Sequence, residues 1–597
     1  MEPKESCRLL RDNGKYTLNT FCELCTEKVQ REFPLQNKSM NVLVKAEAVK
    51  PWQNEVVPRE IFSSSILLNR GRFFIVKRPY RKERMVFMVL KIGLLIIFFA
   101  VMVAVGLYCR KNATDVKGFV LGGRAVGPWL TAFAYGTSYF SAVIFVGYAG
   151  QFGWKFGIAS TWIGIGNAVL GSLLAWVVLG RRTRLMSQHL SSATMPEFFG
   201  KRYESDALKI AASIIVFIFL IPYTASLYNG LSRLFEMAFP GIDYSVCVIV
   251  MAVLTCIYVV AGGYMATAIN DFIQGIIMII GIVAVIGAVL ASNGGFIGAL
   301  NGLAEIEGAV PGTYNSFFGP DPLNLMFVVI LTSLGTWGLP QMVQKFYSIK
   351  SEDDINKGTV ISTVFAVIVA GGCYFLGGFG RLFSDVLGTE AMPVGGFDAV
   401  IPTMVSNLPD ILIAVVIVLV LSASMSTLSS LVLASSSTLT LDLLKGHVVR
   451  NMTEKKQVLI MRVLIAVFVA ISAFIALNKD KLGYIADMMG ISWGALAGAF
   501  LAPFLYGLYS KKATKASVWA SFIFGAGIMV LNMLARPMFP AIMQSPINCG
   551  VIAMLGGLVI VPVVSLITPK QKKETVDTMF SCYDREVVVN AKESLGK

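Results

Sequence analysis

The sequence predicts an all-α membrane protein that crosses the bilayer many times, and three observations carry that prediction. Of 597 residues, 55% are hydrophobic and only 15% charged, against roughly 25% charged in soluble domains. The mean hydropathy is +0.68. From Met85 onward, apolar runs recur at the length a bilayer requires, about 20 residues each, and about thirteen can be marked. The net charge of +15 would suit nucleic acid, but the basic residues lie mostly between apolar runs, so they read as a topology signal.

Residues 1–84 differ from the rest. They are polar, show no sustained period and end in Arg72, Lys77, Arg78, Arg81, Lys82 and Arg84. The expectation is an N-terminal extension that is disordered or lies outside the natural start, with no apolar core for a cleavable signal peptide. Its Cys22-Glu-Leu-Cys25 is a lone CxxC without a second pair, too little for a metal or redox site.

The expected spans are 86–108, 126–151, 156–180, 207–235, 242–261, 264–292, 325–347, 358–382, 411–441, 457–477, 483–508, 516–535 and 548–568. Alternate loops carry the cations: Arg110, Lys111, Lys117 and Arg124; then Arg181, Arg182, Arg184, Lys201 and Arg202; then Lys345, Lys350 and Lys357; then Lys445, Arg450, Lys455 and Lys456; then Lys511, Lys512 and Lys515. The opposite loops hold Glu305, Glu307, Asp321, Asp385, Glu390 and Asp398. The positive-inside rule then makes the C-terminus and the tail 569–597 cytoplasmic and starts Met85 outside. The basic run Arg72–Arg84 conflicts with that rule.

Two spans are expected to break in mid-membrane. The second carries Gly136, Thr137, Ser138 and Ser141, then Gly147 and Gly150, a small polar cluster where a helix can unwind and free carbonyls. Five spans on, Gly335, Gly338 and Pro340 fall together, and Pro340 removes a backbone donor. Breaks five spans apart fit an inverted repeat of five plus five helices, here 125–292 and 325–508, flanked by helices 85–108 and 515–568. The eighth core span then holds the hydroxyl-rich run Leu421–Ser437. Most of its serines read as close packing through small residues. Ser426 and Thr427, with a carbonyl freed near Ala423, supply the hard oxygens that a small hard cation prefers.

The strings FVLGGRAVGPWLTAFAYGTSYFSA, SATMPEFFGKRY, AGGYMATAINDFIQGIIM, SMSTLSSLVLASSSTLTLDLLK and GALAGAFLAPFLYGLYSKKAT, in that order and spacing, resemble the sodium:solute symporter family over most of 115–530. The resemblance implies a core of the leucine-transporter fold. It implies a sodium site made by the side chains of Ser426 and Thr427 and the carbonyls of Ala423, Thr137 and Phe140. The solute is then expected between the broken second and seventh spans, nearest Ser141, Gly147, Thr336, Trp337 and Gln341, although a Gln–Lys stretch at a helix end also reads as an interfacial anchor. The chain departs from the proline transporters of the family, which carry Asp at the position of Tyr139 and aromatics at Thr332 and Thr336. Tyr139 offers the solute a hydroxyl and a ring face but no charge.

Asp271 matches a family Asp and reads either as a gating or second-ion group or as a helix-start residue, because intramembrane carboxylates are costly and usually functional. Asp487 reads as a structurally paired carboxylate. His189 and His447 are expected in solvated loops, and Glu197 at a helix start after Pro196. Nothing has the pattern of a nucleophile–base pair, a zinc site or a phosphate loop, so no enzyme is expected. The expectation is a plasma-membrane symporter that couples sodium entry to import of a small organic solute (an amino acid such as proline, a small carboxylate or a sugar). Na+ is the coupling ion, no other cofactor is called for, the bilayer is the surrounding partner, and nucleic acid is not one. The rivals are proton coupling through Asp271 or Asp487, a channel, and a transporter-like sensor, for which the short tail holds no signalling domain.

Overall fold

The computed structural model describes residues 81–584, apart from 240–241, 307–308, 407, 450–451 and 479–484, together with five short strands between 9 and 77. It divides into two units, Met1–Gly93 and Leu94–Lys597. In the first, Leu9–Asp12 pairs antiparallel with Lys15–Leu18, and Ser64–Asn69 pairs with both Leu43–Val44 and Arg72–Lys77. These strands lie within the N-terminal extension expected over 1–84, most of which is outside the described residues. Ile66-Leu67-Leu68 and Phe73-Phe74-Ile75-Val76 are runs of strong strand formers, and backbone pairing needs no strict alternation of polarity. Cys22 and Cys25 lie outside the described residues.

The second unit is a helical bundle. Helix α1, Arg81–Cys109, leads into it, starting four residues before the expected Met85. Among the described residues, ten helices are long and apolar enough to cross a membrane, or eleven if the bent pair Pro322–Gly338 and Pro340–Ser348 is one span. Two of the ten, Val143–His189 and Tyr244–Ser292, have 47 and 49 residues, about twice what one crossing needs. Each is interrupted at a glycine with positive φ, Gly157 (φ +60°) and Gly263 (φ +57°). A Cβ at Gly157 would lie 2.1 Å from the Tyr314 carbonyl oxygen, and one at Gly263 2.8 Å from that of Phe119, so both the backbone angle and the space demand glycine.

The elements that frame the interior are α2 (Pro128–Tyr139), α3 (Ala149–Phe156), α4 (Arg181–His189), α5 (Asp206–Ala238), α6 (Tyr244–Ser292), α7 (Pro322–Leu334), α8 (Pro340–Ser348), α9 (Glu352–Ala366), α10 (Asp410–Thr438), α11 (Glu454–Leu477), α12 (Ile485–Tyr509), α13 (Lys515–Ala535) and α14 (Pro546–Ile567). Helix α10 packs on α2, α5, α6 and α11, and every residue from Leu419 to Thr438 is buried. At the flanks, apolar side chains such as Ile280, Leu534 and Ile567 point outward, as lipid-facing surfaces do.

The hydroxyl ladder of α10 is satisfied only in part within its own helix: the Ser422, Ser424 and Ser435 hydroxyls lack partners among the described residues, and Ser430 bonds across to Ser138 and Lys345. Ser429 Oγ donates to the Ser426 carbonyl at 2.8 Å, Ser436 to that of Leu433 and Ser437 to that of Ala434, the back-bonding open to a helical serine. Because α10 runs unbroken through Ala423, unwinding does not free that carbonyl as expected; two hydroxyls reach back to it instead.

Candidate functional site

Both breaks fall where the local sequence puts them. Helix α2 ends at Tyr139, and Phe140 is extended (φ −83°, ψ 124°) before a π-helical turn, Val143–Tyr148, leads into α3. In the seventh span, α7 gives way to a 3-10 turn, Gly335–Gly338, and Leu339 is extended (φ −89°, ψ 123°) before Pro340 opens α8 at 49° to the first half. A residue before proline is pushed out of the helical region, and proline fits the first helical position.

The α2 break faces α10. Ser426 Oγ lies 3.1 Å from the carbonyl oxygens of both Thr137 and Ala423. Thr427 Oγ1 lies 3.2 Å from those of Thr137 and Phe140 and 3.1 Å from that of Ala423. All five residues are fully buried. Two hydroxyls, the Thr137 and Phe140 carbonyls at the α2 break and the helix-bonded carbonyl of Ala423 gather five oxygens in a dry place. An all-oxygen cluster of this kind suits a small hard cation.

The residues expected around the solute are brought together only in part. Tyr139 and Thr336, one from each broken span, line a cavity of about 10 Å³ with Asn167 and Ser172, room for about one water. Thr336 Oγ1 donates to the Ser333 carbonyl at 2.8 Å. Trp337 is turned away, its Nε1 donating to the Leu170 carbonyl at 2.9 Å. Gly147 packs on α12, where a Cβ would meet Ile485 at 2.7 Å. Ser141 and Gln341 are buried outside that lining, and Ser141 Oγ, Gln341 Oε1 and the Tyr139 hydroxyl lack hydrogen-bond partners among the described residues. For Gln341 the anchor alternative fails, since it is 1% exposed.

Three groups of residues were not legible in the sequence. Tyr139 meets Trp493 of α12 at a ring-centroid distance of 6.1 Å, and Trp493 meets Tyr223 of α5 edge-on at 5.9 Å. The Tyr223 hydroxyl lies near Ser141 and the Trp493 indole but closes no hydrogen bond of ordinary geometry with either.

The second group corrects the placing of Lys345 in a basic loop. Lys345 is 2% exposed; its Nζ donates to Ser430 Oγ at 3.0 Å and lies 3.8 Å from Asp271 Oδ2. Ser430 Oγ in turn shares a 2.8 Å hydrogen bond with Ser138 Oγ, next to Thr137 of the oxygen cluster. The available signal was position: Lys345 is five residues past Pro340, a rise of only about 7–8 Å from the break.

The third group joins the ends of the two broken spans. Arg124, in the left-handed region at φ 58°, donates to Ser187 Oγ and to the carbonyls of Tyr347, Ser187 and Ser192. Burial pulls its guanidinium down to about 10, with Tyr347 and Glu197 pulling back, so it stays charged at neutral pH. Arg184, also placed in a loop by the sequence, is fully buried and donates to the Ile349 carbonyl at 2.6 Å. Val126 and Ile349 complete the seam through a backbone bridge.

Asp487 lies in the first turn of α12, 3.9 Å from Arg536. Glu197 sits at a helix start capped by Thr194, and His189 is half-buried. Nothing is described of the His447 side chain.

Comparison with known proteins bears on the family and the fold. Residues 119–525 match the model of the sodium:solute symporter family. The osmoregulated proline transporter OpuE of Bacillus subtilis is 27% identical over 480 residues, 80% of this chain and 94% of that one. A sodium/proline symporter of Staphylococcus aureus is 29% identical over 445 residues, 73% of this chain and 84% of its own. Among solved structures, a Na+-coupled sialic acid symporter in a substrate-bound, outward-open state superposes with a TM-score of 0.67 at 18% identity, covering 81% of this chain and 99% of that one. The fold is thus of the leucine-transporter type. With the family model matching well over half of its length, the chain belongs to the sodium:solute symporter family: it is a multi-pass membrane transporter, not an enzyme, and couples sodium to a small organic solute.

Proposed function

We propose that one sodium ion sits among the Thr137, Phe140 and Ala423 carbonyls and the Ser426 and Thr427 hydroxyls, and that its entry drives import of a small solute. The observation that carries this reading is the convergence of five buried oxygens, two hydroxyl and three carbonyl, around Ser426 and Thr427. Sodium would be held by those oxygens. Hydroxyls take up no proton near neutral pH, so this cluster favours sodium over proton coupling. One charge moved through 100 mV supplies about 2.3 kcal/mol, and a tenfold gradient adds roughly 1.4 kcal/mol, enough for several-hundred-fold accumulation with one ion.

The solute would lie between the broken spans beside Tyr139, Ser141 and Thr336, with the Tyr223–Trp493 pair as a further wall; Gly147, Trp337 and Gln341 would act from behind it. The relatives named as proline transporters make an amino acid such as proline the first solute to try, followed by small carboxylates and sugars. Asp271 and Lys345 would form a gating pair next to the sodium cluster. Counting Val143–His189 and Tyr244–Ser292 as two crossings each, and the bent pair Pro322–Gly338 and Pro340–Ser348 as one, leads to thirteen spans, with repeats at 125–292 and 325–508. The basic loops would face the cytoplasm, as would the C-terminus, in a plasma-membrane protein. The test is uptake into proteoliposomes of proline, other amino acids, pantothenate, acetate, sialate and hexoses, with and without a sodium gradient. Sodium-stimulated accumulation of one solute is expected; uptake driven by a pH gradient alone would overturn the reading.

A further inference from the structure

On the side of the basic loops, where α1 ends and α11 begins, one half-buried arginine has too few partners. Arg462 of α11 donates a single hydrogen bond, from Nη2 to the Ala113 carbonyl at 3.4 Å, and its guanidinium lies 5.6 Å from the Phe119 ring. Its Nε is sealed in without an acceptor among the described residues. By contrast, Arg124, Arg184, Arg202 and Arg381 each donate at least two hydrogen bonds of 3.1 Å or less.

The charge of Arg462 is not balanced either. Arg110, exposed at the end of α1, is the charged neighbour that acts on it, and the sign is the same. Among the described residues neither arginine has a carboxylate within ion-pair distance. Residues 110–117 and 454–462 together carry six cations against two carboxylates, and one of the two, Asp115, is engaged by the Gly118 N–H. Leu107 and Tyr108 of α1 and Leu459 and Val463 of α11 are exposed apolar side chains. Two arginines that repel each other beside a lipid-facing surface call for an anion with an apolar body.

We propose that Arg110 and Arg462 clasp the phosphate of an anionic phospholipid whose acyl chains lie along Leu107, Leu459 and Val463. The planar fork of arginine matches phosphate oxygens, and such charge-assisted bonds are the strong kind. Arg462 stands eight residues into α11, about 12 Å from its start, and a long side chain at that depth reaches back toward the surface. The positive-inside reading puts this surface in the cytoplasmic leaflet, where anionic lipids gather. No residue of the oxygen cluster takes part, so the site stands or falls separately from the sodium reading.

Native mass spectrometry of the full-length protein, purified with equimolar dioleoyl phosphatidylglycerol and dioleoyl phosphatidylcholine, tests the proposal. One phosphatidylglycerol is expected to stay bound, favoured about tenfold or more over phosphatidylcholine. Arg110→Gln and Arg462→Gln should each cut that preference about tenfold. Arg110 is exposed, so its variant carries the test even where Arg462→Gln fails to fold. The double variant Lys455→Gln/Lys456→Gln removes charge from the same surface and should leave retention unchanged. Glycerol 3-phosphate should not displace the lipid, because it has no chains to lay on the apolar flank. Equal retention of the two lipids, or wild-type retention in the Arg110 variant, overturns the proposal. An equal loss in the lysine double variant would show general attraction by the patch, and displacement by glycerol 3-phosphate would show a free-phosphate site. Either result overturns the lipid clasp.

Discussion

Thr427 has one hydroxyl proton and three carbonyl oxygens at 3.1–3.2 Å. Removing that oxygen, or the one on Ser426, deletes a ligand from the proposed sodium shell and leaves the helix intact. A loss of about 1–3 kcal/mol is expected, a ten- to hundredfold rise in the sodium concentration for half-maximal uptake in Ser426→Ala or Thr427→Ala. Wild-type activation in both variants would make the hydroxyls packing residues. The pair Asp271–Lys345 behaves differently, because each member neutralises a charge that has no other escape from the interior. Asp271→Asn therefore strands the Lys345 ammonium. Single variants Asp271→Asn and Lys345→Met should each lose about 3–5 kcal/mol. The double variant should recover much of it, measured as thermal unfolding in detergent. Additive losses would show that the two groups do not interact.

Between elements, the tightest approach is glycine against glycine. A Cβ at Gly153 of α3 would lie 1.9 Å from the Gly377 carbonyl oxygen, whereas at Gly287 of α6 it would meet nothing within 4 Å. Gly153→Ala should push α3 off its neighbour and sharply reduce the yield of folded protein, while Gly287→Ala should be neutral or gain about 0.5–1 kcal/mol; comparing yield and unfolding temperature checks both. Asp398, in a short 3-10 turn outside the spans, ties that turn to another element: its Oδ2 accepts from the Ile485 N–H at the start of α12. Burial pushes its carboxyl up to about 6, against the Ile485 hydrogen bond and Arg233, which pull it down. The folded state thus holds the proton more tightly than the unfolded chain. The stability it contributes is full below the ordinary carboxyl range, near pH 4, and is lost as pH rises through about 6. The unfolding temperature of the wild type relative to Asp398→Asn should fall between pH 4 and 7, and a constant difference would remove Asp398 from the account.

Over the whole molecule, the C-terminal segment ties distant parts of the bundle together. Arg182 of α4 lies between Tyr509 and Tyr583, 4.1 and 4.5 Å from the ring centroids, and the Tyr583 hydroxyl donates to the Leu508 carbonyl at 2.9 Å. Arg202 donates to the Gly507 and Ser510 carbonyls and to Gln571 Oε1, and Lys511 pairs with Asp577 at 2.6 Å. Tyr583→Ala removes one face of the arginine sandwich and a hydrogen bond, together about 1–3 kcal/mol. Limited proteolysis near Lys572 and Lys573 should then speed up about tenfold or more; an unchanged rate would mean that the segment docks without Tyr583. Local chemistry was legible from the residues alone. Long apolar runs specify crossings, Pro340 and the small polar cluster from Gly136 to Ser141 mark the two broken spans, and the adjacent hydroxyls of Ser426 and Thr427 specify hard oxygen donors, because each depends on a few neighbouring residues. Family likeness added the Thr137 and Phe140 carbonyls from nearly 300 residues away. Only tertiary packing decided which buried charges meet. Lys345 and Arg184 look like loop cations because hydropathy charges each its full transfer cost, and that cost falls only when a partner such as Asp271 or the Ile349 carbonyl is brought alongside by helices far apart in the chain.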